Sequence, residues 1–345
     1  MIPIIMNKSF ERLCVVDDYK SFIWCIRYYE HGDFELCVGA SKKYFQYLAV
    51  GNYIARDTDD NIGIIERIEF QLNEDMEQIL IISGRFLSQI LSRRIVATQT
   101  QVSGLVSSSM YQLINDAIIS PSISQRKINN FINGSYVGTA TIDAQYTGKS
   151  LYEVISSVCL QYGLGFKVVL NNSNQFVFQM YEGTDRSYGQ SVNPYVVFSE
   201  QYENLLNAQY YKDAKTLITN VLAAGEGEGL DRKTIWVTNS NPSGLDRYEY
   251  YDDSRNISSN GGEISQAEYM RQLAEEGRKN LTNYETKFAG SVDFNNVKFR
   301  EDVNIGDIVT IEYKELNFEF NVRIIEVIES VGEDGKYNII PTFGI

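Results

Sequence analysis

Apolar and polar residues alternate through most of the first hundred positions, the two-residue period of strands with one buried face. Residues 22–30 and 34–38 are predicted strands flanking a His31-Gly32 turn; 52–56 and 62–70 flank an acidic turn, and 76–83 close the series. A short amphipathic turn follows, with Phe86, Leu87, Ile90 and Leu91 on one side and the basic pair Arg93-Arg94 at its end. Residues 103–109 are small and polar and predict a boundary.

The period then changes. Val106, Met110, Leu113, Ile114 and Ala117 fall on one helical face that stops before Pro121. Leu151, Val154, Ile155, Val158, Cys159 and Tyr162 form a second stripe, with Ser150 and Glu153 as a capping box and Gly163 at the stop. A hairpin is expected over 165–170 and 175–181, turning at Asn171-Asn172-Ser173-Asn174. Strand patterning returns near 217–224 and 234–238, and a polar, Gly- and Asp-rich stretch, 239–262, leads to a third helix. Ser265 and Glu268 cap it, and Met270, Leu273, Ala274, Gly277, Leu281 and Tyr284 share a face. Strands resume from 288 to the end. The order predicts an α+β chain in which β dominates.

One segment echoes another. Residues 64–69 read Ile-Ile-Glu-Arg-Ile-Glu and 324–329 read Ile-Ile-Glu-Val-Ile-Glu. Extending that match sets Ile79-Leu80 on Ile339-Ile340 and Gly84 on Gly344; upstream, Val50-Gly51-Asn52-Tyr53-Ile54 resembles Ile305-Gly306-Asp307-Ile308-Val309. Either two alternating hairpins look alike, or a β-domain is duplicated, one copy near each terminus. A trimer of a duplicated protein would present six similar units, which lets a threefold ring dock on a sixfold one.

Composition narrows the function. At 345 residues the chain is long enough for two or three domains. Its 45 acids against 31 Lys and Arg give a net charge of −14, which excludes a sequence-specific nucleic-acid reader and opposes docking on an anionic membrane. With His31 the single histidine, a His-rich metal centre is excluded, and a Ser-His-Asp triad would have to use it. Cys14, Cys25, Cys37 and Cys159 contain no C-x-x-C pair. If the first hairpin turns at His31-Gly32, Ile26 lies opposite Cys37, so Cys25 and Cys37 face apart and no disulfide is expected. No apolar run is long enough for a membrane span and no signal peptide is evident, so synthesis in the cytosol with reduced thiols is expected.

Candidate chemistry is sparse. Gly148-Lys149-Ser150 opens a helix as a phosphate loop would, but the position requiring the earlier glycine is Asp143. Gly225-Glu226-Gly227-Glu228-Gly229 carries two acids that make a poor anion nest. Asp57, Asp59 and Asn61 begin like a calcium loop, yet Ile62 and Ile68 stand where Gly and Glu are needed. Ser191 lacks the final glycine of a nucleophile elbow. Tyr28-Tyr29, Tyr210-Tyr211 and Tyr248-Glu249-Tyr250-Tyr251 either line a sugar-binding surface or pack half-buried with wet hydroxyls. No catalytic, cofactor-binding or metal-ligating residue is assigned, and no enzyme is expected.

The run Val221-Leu222-Ala223-Ala224-Gly225-Glu226-Gly227-Glu228-Gly229 continues through Asp231-Arg232 to Ser243-Gly244-Leu245-Asp246-Arg247-Tyr248-Glu249. Asp252, Arg255 and Ile257-Ser258 follow, then the capped helix with Leu273 and Gly277, and Asn304-Ile305-Gly306-Asp307-Ile308-Val309. Arg323-Ile324-Ile325-Glu326-Val327 and Pro341-Thr342-Phe343-Gly344 complete the set. This pattern resembles the siphovirus tail-protein family that acts as a baseplate hub, similar in role to the hub of contractile tails and to the N-terminal part of tail-associated tip proteins. The likeness spans most of the chain and is strongest from about residue 200.

The resemblance implies two similar antiparallel β-barrel-like tube domains with inserted α+β segments, assembled as a homotrimeric, pseudo-sixfold ring. The corresponding division is 1–100 for the first tube-like domain, 101–200 for an α+β domain, 201–239 with 285–345 for the second tube-like domain, and 240–284 for an insertion carrying the capped helix. It implies a place in the virion, at the tail tip or baseplate, after assembly in the host cytoplasm. Implied partners are further copies of itself, a distal tail protein or tail-tube ring, the tape-measure protein and downstream tip or fibre proteins. DNA would be met only in transit, with no membrane insertion and no cofactor. The chain ends directly after the second copy, so any wall-cutting domain is expected on another chain. The alternative is a carbohydrate-binding or carbohydrate-active tip protein that recognises the host wall, resting on 24 tyrosines and abundant carboxylates.

Overall fold

The structure is a computed structural model that describes residues 1–72, 76–283, 285–292 and 297–344; the side chains of 206–208 and 285–291 lie outside the description. The first unit contains β1 (Pro3–Met6), β2 (Arg12–Val15), β3 (Tyr19–Arg27), β4 (Asp33–Gly39), a short α1 (Lys42–Phe45), β5 (Tyr53–Arg56), β6 (Gly63–Ile64), β7 (Arg67–Leu72) and β8 (Gln78–Arg85). Alternation does its expected work here. Phe22, Trp24, Ile26, Phe34, Leu36, Val38, Leu80 and Ile82 point into one core and their neighbours point out.

Two expectations about the first hairpins change. Cys25 pairs with Asp33 and Ser21 with Cys37, so the turn is wider than His31-Gly32 and the two cysteines share a face. Four residues along a strand separate Cys37 from the rung of Cys25, roughly 13 Å, and all four cysteines are free. The expected strand 62–70 breaks into β6 and β7, because Ile65 turns back to bond Asn52 while Glu66 bonds Ser83.

The middle unit runs through β9 (Thr100–Leu105), α2 (Val106–Ile114), β10 (Phe131–Asn133), β11 (Thr141–Tyr146), α3 (Leu151–Tyr162), β12 (Gly165–Leu170) and β13 (Phe176–Tyr181). Residues 103–109, expected as a boundary, form the end of β9 and the first turn of α2, and Ser107 and Ser109 are buried. The α3 stripe packs as expected, and Gly163 ends the helix at φ 67°. The capping box at Ser150 does not form. The amide of Leu151, the first residue of the helix, bonds the carbonyl of Arg94 at 2.9 Å, and Ile95 bridges to Ser150. This core also takes in Met6, Ile64, Leu87 and Leu91, so the first and middle units share an interior.

Next come β14 (Val197–Ser199), β15 (Leu205–Asp213), β16 (Asn220–Ala224), β17 (Thr234–Thr238), β18 (Glu249–Asp253), α4 (Gln266–Arg278), β19 (Glu285–Val292), β20 (Ile308–Tyr313), β21 (Phe318–Val331) and β22 (Tyr337–Gly344). Strand β18 lies in the polar stretch 239–262, where no strand was expected, and it pairs in parallel with β16. Strands β16 and β17 therefore belong with β18 in a separate three-stranded sheet covered by α4, and the insertion begins before Asn220 rather than at residue 240. Ser265 caps α4 by accepting from the Glu268 amide. The helix stops at Arg278, before Leu281, and Tyr284 lies outside the described residues.

A ten-stranded sheet joins the two ends of the chain in the order β15-β19-β22-β21-β3-β4-β8-β7, with β20 and β14 continuing from β21. It stays open: none of the described sheets closes into a barrel. The echo reappears in hydrogen bonds. The Gly51 amide bonds Ile65 and the Ile65 amide bonds Asn52; the Gly306 amide bonds Ile324 and the Ile324 amide bonds Asp307. Both glycines have φ near +90°. Ile65 thus corresponds to Ile324, one residue away from the alignment of identical letters. That single step decides which face every later residue occupies, and it sets inward Ile68 on inward Val327.

Candidate functional site

The two ends of the chain meet where β3 pairs with β21, and charged groups fill the meeting point. Glu329 lies opposite Trp24 and is 1% exposed. Its carboxylate accepts from Arg56 at 2.5 Å and from Arg300 at 2.9 and 2.5 Å, and the Tyr337 hydroxyl donates to it as well. Asp59 completes the cluster, accepting from Arg300 at 2.6 Å, Arg56 at 3.1 Å and the Trp24 indole at 3.3 Å. Burial pushes the Glu329 carboxyl up, but hydrogen bonds and charge from Arg300 and Arg56 outweigh it and hold the group below the usual carboxylate range. On the opposite face of the same pairing, Arg27 bonds Glu326 at 2.7 Å and Asp33 at 2.5 Å.

Tyr28, at the end of β3, ties the middle unit to this seam. Its hydroxyl accepts from the Gly183 amide at 3.0 Å and donates to the Gly163 carbonyl at 3.1 Å. Its ring lies on Gly165 and Gly306, where an added Cβ would come within 2.4 and 2.2 Å of it. The Arg323 guanidinium sits 5.2 Å from the ring and donates to the Gly306 carbonyl at 2.6 Å. Burial pushes the Tyr28 hydroxyl up to about 12, so it stays a proton donor. Buried Asp307 accepts from the Thr184 amide, Arg186 and the Asn304 amide at 2.8 to 3.0 Å. A cleft of about 510 Å³ opens beside the junction, with Glu30, Asp60, Lys167, Glu182 and Arg300 in its lining.

The motifs singled out in the sequence have local structural partners. Lys149 reaches Glu276 on α4. In the Gly-Glu-Gly-Glu-Gly run, Glu226 accepts from the Ser259 amide, and the Glu226 amide bonds the Tyr269 hydroxyl under which Gly225 is packed. Asp59 belongs to the ion cluster, and no group of three or more potential metal ligands occurs among the described residues. Ser191 is exposed in a loop, while His31 stacks on Tyr152. Of the tyrosine clusters, Tyr28 is fully buried; Tyr210, Tyr211, Tyr248, Tyr250 and Tyr251 are exposed. No sequence signal marked Arg56 or Arg300; Glu329 had one, an acid at an inward position of an alternating strand.

Comparison with known proteins agrees with this architecture. The family model described as Siphovirus ReqiPepy6 Gp37-like protein matches residues 2–345. The fold is similar to the tail protein from Neisseria meningitidis MC58, at TM-score 0.59 and 13% identity over 100% of this chain and 96% of that one. It is similar to prophage tail protein gp18 from Listeria monocytogenes EGD-e, at TM-score 0.56 and 11% identity over 100% and 94%. The 43 kDa tail protein of prophage MuSo2 from Shewanella oneidensis gives 0.57 and 12% over 99% and 98%. No curated protein matches the sequence. With a family match over nearly its whole length, the chain belongs to the Siphovirus ReqiPepy6 Gp37-like family of phage tail proteins.

Proposed function

We propose that this chain is a structural hub at the distal end of a siphovirus tail, three copies forming a ring that joins the tail tube to the tip. The observation that carries the reading is the repeated four-strand unit: β3-β4-β8-β7 and β15-β19-β22-β21 have the same order and are joined side by side within one chain. Two tube-like units in each of three copies would give a sixfold surface to the tube and a threefold one to the tip. In this reading the chain has no catalytic role, and the tape-measure protein and DNA pass through the ring. The solvent face of the ten-stranded sheet, where Glu35 is exposed and Glu69 and Glu326 are paired with Arg67 and Arg27, lines the channel. Electron microscopy of particles with a tagged chain tests this: density in a ring at the tube end supports it, and density confined to fibres or the tube shaft overturns it.

One observation favours a second reading. Trp236 and Tyr251 flank Leu222 on the open face of the three-stranded sheet, with Arg247 and Arg232 stacked against the two rings. An aromatic platform of this kind suits a sugar of the host wall. Binding of purified chain to host-wall polysaccharide, lost on Trp236→Ala, would support it; absence of binding would remove it.

A further inference from the structure

The registers allow the two four-strand units to be matched rung by rung. Arg67↔Ser83 and Leu72↔Gln78 in the first correspond to Glu326↔Thr342 and Val331↔Tyr337 in the second, so β7 matches β21. Phe34↔Gly84 then corresponds to Phe288↔Phe343, and Trp24↔Phe34 to Tyr210↔Phe288, so β3 matches β15. The chain itself joins β21 to β3, antiparallel, with Glu326 opposite Arg27 and Glu329 opposite Trp24. The strands left at the two ends of the eight-strand path, from which β20 and β14 branch at β21, are β7 and β15, the counterparts of the pair that makes the internal joint. Among the described residues, neither pairs with a further strand along its outer edge.

We propose that β7 of one copy pairs antiparallel with β15 of the next, repeating the internal β21–β3 register and placing Arg67 opposite Asp213. This deepens the hub reading and rests on it. Charge supports the register: the internal joint has Glu326 bonded to Arg27, and the matching outer positions hold Arg67 and Asp213, the same ion pair with its polarity reversed. Among the described residues these two side chains have only near neighbours as ionic partners, Glu69 and Lys215, and the Arg67 side chain is 68% exposed. The same register sets Phe70 opposite Tyr210 and Gln71 opposite Gln209. Phe70 is 57% exposed; Tyr210 stacks on Phe320 of its own chain at 5.4 Å and remains 37% exposed.

An unpaired edge with large apolar side chains is a template for another strand. The internal joint needs Arg56 and Arg300 to neutralise Glu329, whereas the outer joint has Phe70 at that rung and needs no buried cation. Because its two sides differ, the joint is heterologous, and repetition must give either a closed ring or an open filament.

Cysteine cross-linking tests the register. Under mild oxidation of concentrated protein, the Gln71→Cys/Gln209→Cys double variant should give a covalent ladder ending at three subunits, which neither single variant gives. Arg67→Asp and Asp213→Arg should each weaken association by at least about tenfold, and combining them should restore it. Absence of both the ladder and the charge rescue overturns the pairing. If sedimentation still finds a trimer in that case, the hub reading stands without this edge assignment. A ladder running past three subunits keeps the pairing and overturns the closed trimeric ring.

Discussion

The carboxylate of Glu329 accepts a hydrogen bond at 2.5 Å from Arg56, a residue 273 positions earlier in the chain, and both side chains are essentially inaccessible to water. Two units from opposite ends of the sequence are thus fastened by charges buried at the middle of a continuous sheet. Such a pair tolerates the loss of both charges far better than the loss of one, because a lone buried ion keeps its desolvation penalty without its partner.

Removing one partner should therefore be costly. Glu329→Ala leaves Arg56 and Arg300 with Asp59 as the one acid between them in the cluster, and is expected to destabilise the chain by about 3 kcal/mol in denaturant unfolding. Glu329→Leu combined with Arg56→Met should recover part of that loss. Equal stability of Glu329→Ala and the wild type would show that the cluster contributes nothing.

Acid should destabilise the chain in two steps, one at each of two sites. His31 has its proton affinity lowered, first by burial and also by Arg85 and Arg27, with Glu30 opposing. Its neutral form is the folded form, so stability falls as pH drops below its ordinary 6.5. Glu329, held below its ordinary 4.5, contributes stability that is present above that pH and lost below it. His31→Phe should flatten the upper part of a stability–pH curve and leave the lower part unchanged. An unaltered slope between pH 7 and 5 would count against the histidine.

The junction at Tyr28 should not accept even a methyl group. Gly306→Ala combines a φ of 92° with a Cβ 2.2 Å from the Tyr28 ring, and about 2–4 kcal/mol of destabilisation is expected from strain plus overpacking. Thermal unfolding reads the loss, and cleavage near the junction in limited proteolysis reads the detachment of the middle unit. Gly148→Ala is the control: it shares a positive φ but meets nothing within 4 Å, so only the backbone strain should register.

Two serines that look alike in sequence should behave differently. Ser265→Ala removes a bonded cap from α4 and should cost about 1 kcal/mol. Ser150→Ala removes no cap bond and should stay within about 0.5 kcal/mol of wild type. Equal losses would mean that side-chain capping does not distinguish these helices.

If the proposed channel face is right, Glu35→Lys with Glu69→Lys should slow DNA release from particles, more at low salt than at high, because added cations hold phosphates. An unchanged release rate at low salt would argue that this face does not meet DNA.

Much of the fold was legible in the residues. Trp24, Phe34 and Ile82 sit where a period of two puts them, the stripe from Leu151 to Cys159 where a period of 3.6 does. The internal echo was legible too, but letter identity placed Ile64 on Ile324 when the hydrogen bonds of Gly51 and Gly306 place Ile65 there. Two adjacent isoleucines give no local reason to prefer either register. Strand β18 was missed because Glu249 to Asp253 is charged and exposed, and only its parallel partner β16 makes it a strand.

By itself the sequence determined the acidic charge, the lack of a histidine-rich centre, the strand and helix periods and the family to which the pattern belongs. Tertiary structure alone decided that β16 and β17 leave the large sheet, that the Ser150 side chain makes no cap bond, and that Glu329 finds Arg56 and Arg300. The physical reason is range. Periodicity and capping act over a few residues and are written in neighbouring letters, whereas strand register and the neutralisation of a buried charge depend on groups hundreds of positions away, which become neighbours only when the sheet forms.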